Sequence, residues 1–117
     1  MRWVSSSLAI LCALGCSYGV PDIPTVPAHP TYESDIRPFF ADHCLLCHSS
    51  PPDRGAPNYF RLDVYPDTAG GVSGTKSMGE SILGDVVNAS PHRMPPGGGV
   101  GPNGKQMLTN WQVDNYP

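Results

Sequence analysis

Cys44, Cys47 and His48 bring two thiols and an imidazole into five positions, Cys44-Leu45-Leu46-Cys47-His48. If the stretch is helical, residues three and four apart share one face about a turn long. Two sulfurs on that face can form thioethers with the two vinyl groups of a porphyrin. The imidazole can then reach the iron from the same side. C-x-x-C-H is the attachment signature of a c-type haem. Three other readings compete. A zinc half-site needs a second Cys or His pair at ligand spacing, and the chain has no second C-x-x-C. A thioredoxin-like dithiol needs a strand-helix-strand context rich in β-branched runs, which the residues around Cys44 do not offer. The third is a chance pentad in a structural helix.

An iron held by His48 has an open face. Pro91-His92-Arg93-Met94-Pro95-Pro96-Gly97-Gly98-Gly99 supports neither helix nor strand. Met94 is therefore expected on a proline-pinned loop, 46 residues after His48. Its thioether is the expected distal ligand, and His/Met ligation raises the reduction potential. His92 is the rival ligand and would give a bis-His iron of lower potential. Arg93 reads as a surface residue. Arg54 and Arg61 are candidate partners for haem propionates, since guanidinium binds carboxylate bidentately; the competing reading is solvated surface arginines.

Helices must place these groups. Thr31 or Ser34 can cap a first helix. Ile36, Phe39, Phe40 and His43 recur along it at three and four, and it delivers the pentad at its end. Pro38 either lies in its first turn or kinks it. His43 is expected half-buried beside the haem, facing away from the iron. Tyr59, Phe60, Leu62, Val64 and Tyr65 form an apolar patch able to cover a haem edge, with a short strand as an option. A second helix is predicted over 76–88, with Met78, Ile82, Leu83, Val86 and Val87 on one face. Met78 reads as packing. A third helix is predicted over 103–115, capped by Asn103, with Met107, Leu108, Trp111 and Asn115 inward. Trp111 is expected to cross the first helix near Phe39 or Phe40.

The 117 residues suit one small domain. Fourteen prolines and thirteen glycines make up just under a quarter of them, leaving three Phe and two Trp for a core. So sparse a chain gains much from a bound cofactor. The net charge of −3 lacks the basic patch that nucleic-acid binding requires. Residues 1–15 read as a secretory signal with Arg2 before a short apolar stretch. That stretch is too short to span a bilayer. Ala13-Leu14-Gly15-Cys16 resembles a bacterial lipobox, which makes Cys16 a lipidated mature N-terminus. The alternative is an ordinary signal cut nearby, with Cys16 a spare thiol. Pro21, Pro24, Pro27 and Pro30 recur every three residues, so residues 16–30 are expected to form a polyproline tether. His29 within it reads as exposed.

From Thr31 to Pro117 the chain resembles the small monohaem cytochrome c domains of exported bacterial proteins. The resemblance rests on Ile36-Arg37-Pro38-Phe39-Phe40 before the pentad, then Arg61-Leu62-Asp63-Val64-Tyr65, Met94-Pro95-Pro96 and the Trp111 helix. It implies an all-α fold of about three helices around one covalent haem c, with the first and last helices crossing. It implies haem on Cys44 and Cys47, with His48 proximal and Met94 distal. The chain departs from the pattern at its last helix, which is a turn short and lacks the usual acidic start. The function expected is a periplasmic, membrane-tethered monomer passing single electrons between redox proteins. No catalytic constellation is visible. A haem sensor or small-ligand binder, in which Met94 leaves the iron, is the alternative; a zinc or dithiol module is the third.

Overall fold

A computed structural model describes residues 20–117; the expected signal segment, residues 1–15, and Cys16 lie outside the described residues. The described residues form three α-helices and no strand: α1 Arg37–His43, α2 Gly79–Val86 and α3 Pro102–Val113. A single backbone bridge joins Phe60 to Ser73. None of these helices is long and apolar enough to cross a membrane.

The entry to α1 resolves the question of Pro38. One π turn, Tyr32–Ile36, precedes the helix. The N–H groups of Ile36 and Arg37 reach back five residues, to the carbonyls of Thr31 and Tyr32. Proline has no N–H, and its ring clashes with the carbonyl four residues earlier. The wider turn sits at the carbonyls that Pro38 would otherwise crowd. Thr31 is the cap: its hydroxyl accepts from Ser34 N–H at 3.4 Å, and Asp35 accepts from Thr31 N–H at 3.0 Å. This is a capping box with the return contact one residue later than usual, matching the wider turn.

Ile36, Phe39 and Phe40 are buried, and Trp111 of α3 meets Phe40 edge-on with ring centroids 6.3 Å apart. Trp111 thus makes the contact with α1 that its position predicts. The Phe39 ring lies against α3 at Gly104, where a Cβ would stand 2.8 Å from it. α2 is shorter than the predicted 76–88, and it buries Ile82, Leu83 and Val86 against the same core. Met78 lies just before it and packs against that core. Residues 75–78 are held in a turn instead, where buried Thr75 donates to the Val64 carbonyl at 2.8 Å.

α3 is capped from a distance. Its first residues offer no side-chain cap, and Asn103 donates its amide to the Ile23 carbonyl at 2.8 Å. Asp22 fills the role, accepting from Asn103 N–H and Gly104 N–H, each at 2.9 Å. Pro102 has no N–H to satisfy, so the first turn is complete. The acidic start missing from the helix itself is supplied by a residue eighty positions earlier. Asn110 also donates to the Pro27 carbonyl at 2.9 Å, and exposed His29 pairs with Asp114 at 2.9 Å. Residues 22–30 thus lie bound along α3 where their prolines suggested a free tether, and Pro30 is fully buried.

The carboxy-terminal end is stapled to the start of the domain. The Pro117 carbonyl accepts from Tyr32 N–H at 2.7 Å and from the Trp111 indole at 3.0 Å. Asn115 does not face inward. It is exposed in the left-handed region with φ 63°, where it turns the chain back after α3.

Candidate haem-attachment site

α1 stops at His43, so the pentad is not a continuation of the helix. It forms its own turn: the N–H groups of Cys47 and His48 both donate to the Cys44 carbonyl, at 3.1 and 3.0 Å. The spacing of three and four that places the side chains together is therefore kept within one turn. The turn is fastened to α1 through Cys44 N–H on the Phe40 carbonyl at 2.8 Å. Leu46 at its outer edge is 64% exposed.

Both thiols are free and half-buried. Burial, with Cys47 alongside, pushes the Cys44 thiol up to about 12. At neutral pH Cys44 is an uncharged sulfur. Zinc binding and dithiol exchange both use the thiolate, which this environment opposes. A thioether carries no charge, so the same burial does not penalise it. Among the described residues, no group of three or more His, Cys, Asp or Glu gathers at metal-binding distance.

His48 is oriented by the segment after the pentad. Its Nδ1 lies 3.4 Å from the Phe60 carbonyl, and the Phe60 ring meets the imidazole edge-on at 5.1 Å. A carbonyl can only accept, so this contact places a proton on Nδ1, and in the neutral imidazole that tautomer leaves the Nε2 lone pair for a metal. This is the carbonyl support that a metal-ligating histidine receives. The sulfur chemistry and the histidine tautomer both fit a covalently held haem. The Leu62 N–H also donates to the His48 carbonyl at 2.9 Å, so the turn is clamped from two sides.

Met94 stands elsewhere. It lines a cavity of about 110 Å³ with Val86, Val100, Arg93 and Lys105, whose walls include none of Cys44, Cys47 and His48. Met94 is half-buried and packs on the core shared with Cys44. Its N–H donates to the Asp85 carbonyl at 3.1 Å. His92 points outward, 68% exposed, with Nδ1 3.7 Å from the Asp85 carboxylate.

The two propionate candidates are placed differently. Arg61 is engaged by Asp63 through two contacts of 2.9 and 2.5 Å. Arg54 is exposed in the left-handed region with φ 51°. Of the apolar patch, Leu62 is buried and Tyr65 stacks on Tyr32 at 4.6 Å, while Tyr59 is 62% exposed. His43 is half-buried as expected and stacks on Phe39 at 4.2 Å. Its Nδ1 donates to the Phe39 carbonyl at 3.0 Å, and its buried Nε2 has no partner among the described residues.

Two participants escaped the sequence reading. The Phe60 carbonyl carries no residue-type signal, because any side chain supplies one. Asp22 left a trace: a lone carboxylate among prolines, and a Gly101-Pro102 helix start with no cap of its own. Comparison of the chain with family models, with curated proteins and with solved structures finds no match.

Proposed function

We propose that this protein is a c-type cytochrome of cytochrome c-like fold, carrying single electrons on one covalent haem. The observation that carries the reading is the Cys44–His48 turn. It groups two sulfurs, that of Cys44 held uncharged by burial, with an imidazole whose Nδ1 is already committed to the Phe60 carbonyl. Cys44 and Cys47 would anchor the haem, and His48 would offer Nε2 to one side of the iron. Met94 would offer its thioether to the other, favouring the reduced state. When bound, the haem iron takes up and releases one electron.

A cavity of about 110 Å³ is well below the range of roughly 300–1,000 Å³ usual for cofactor pockets. A porphyrin would therefore lie outside that cavity, whose walls include none of Cys44, Cys47 and His48, and the Met94 loop would bring the thioether to the iron. The loop's three successive glycines lie at positive φ (84, 85 and 114°), backbone that favours glycine. The remaining parts of the proposal follow the sequence: export by residues 1–15, a lipid anchor at Cys16, a periplasmic monomer, and brief contacts with redox proteins over small interfaces.

Absorption and paramagnetic resonance spectra of the exported protein test the reading. A low-spin, six-coordinate iron is expected. A five-coordinate, high-spin iron that binds carbon monoxide at neutral pH would replace the carrier with a haem sensor.

A further inference from the structure

Arg93 and Lys105 are brought to one cavity from a loop and from the first turn of α3. Val86, Ala89, Val100 and Met94 supply its apolar wall, and no acidic residue lines it. Among the described residues, neither cation has a carboxylate within ion-pair distance. The clustering runs against a chain whose net charge is −3. Arg93 is also aimed: its guanidinium lies over Gly98, where a Cβ would stand 3.1 Å from Nη2. Gly98 (φ 85°) and Gly99 (φ 114°) adopt backbone that favours glycine, so the loop can wrap closely under the guanidinium.

We propose that this cavity is a carboxylate site, taking a carboxylate on a short apolar stem. Arg93 and Lys105 would hold the two oxygens through charge-assisted hydrogen bonds, and the stem would lie against Val86, Val100 and Met94. A dry apolar cavity of about 150 Å³ accepts benzene, so 110 Å³ suits a stem of a few carbons. The carboxylate has two possible sources: a propionate of the haem, or a free short-chain acid. Only the first rests on the haem reading above. The site would place two positive charges beside Met94, the residue assigned to the distal side.

Sodium acetate, titrated at constant ionic strength into the isotopically labelled exported protein, distinguishes the sources. If the site takes a free acid, the Gly98 and Gly99 amide resonances shift saturably. R93Q and K105Q then each weaken binding about tenfold, as expected for losing a charged hydrogen bond. If a haem propionate already fills the site, acetate does nothing, and both variants lower the reduction potential while iron coordination stays unchanged. No acetate response together with unaltered potentials in both variants overturns the proposal. An unpigmented protein would end the haem reading alone, and the acetate titration would then decide the site by itself.

Discussion

The two sides of the proposed haem site are built in opposite ways. The His48 side is local: Cys44 to His48 close on one carbonyl, and Phe60 and Leu62 clamp the turn from just downstream. The Met94 side is tied to the end of α2, with Ser90 N–H on the Gly84 carbonyl at 2.9 Å, Met94 N–H on the Asp85 carbonyl and His92 N–H on the Asp85 carboxylate at 3.2 Å. Beyond it run Gly97, Gly98 and Gly99, all at positive φ. The two thiols and the imidazole are thus grouped by a single turn of the chain. The residue proposed as opposite ligand, Met94, has no such turn of its own and depends on a contact nine residues back in α2 and on a glycine-rich loop.

That contrast is sharpest in its consequences for variants. Replacing both Cys44 and Cys47 by alanine removes the anchor, and pigment covalently bound after denaturation is expected to fall to zero. Met94→Ala acts on the Met94 side alone. Covalent pigment stays, the spectrum becomes high-spin, and carbon monoxide binds the ferrous form. If M94A leaves the spectrum unchanged, the two-sided description is wrong.

Asp22→Ala should leave both sides spectrally intact while weakening the scaffold behind them. Losing a helix cap in a domain of this size lowers Tm by roughly 4–8 °C, measurable by calorimetry. The effect is linked to pH. Burial raises the Asp22 proton affinity, but the N–H groups of Asn103, Gly104 and Ile23, with His43 nearby, outweigh it and hold the carboxyl below its usual range. The unfolded chain therefore takes up this proton first as pH falls below about 4. The stabilisation is complete above that pH and lost below it, and D22A should show a flatter Tm profile there. The smallest effect belongs to His92→Ala. With His92 exposed and turned toward Asp85, visible spectrum and potential should match the parent.

The legible parts of the molecule are those whose cause lies within one or two turns. The pentad, the apolar face of α1 and the Trp111 contact with Phe40 follow from residue type and spacing. Pro38 was ambiguous because its clash depends on whether the preceding turn is α or π, and single-residue propensity does not encode that choice. The cap of α3 was misplaced onto Asn103 because the residue that fills it is eighty positions away. The prolines of residues 22–30 exclude a helix, and none forms there, but they say nothing of what the segment lies against. Backbone outside helix and sheet has free carbonyls, and Asn103 and Asn110 use those of Ile23 and Pro27. Arg61 looked available for a propionate until Asp63, two residues on, proved to hold it.

Intact mass of the purified, exported protein tests the central claim most directly. The account predicts one haem added covalently, surviving acid denaturation, with peptide mapping placing it on Cys44 and Cys47. A folded protein whose two thiols both react freely with alkylating reagent, and whose mass is that of the polypeptide without haem, would contradict it.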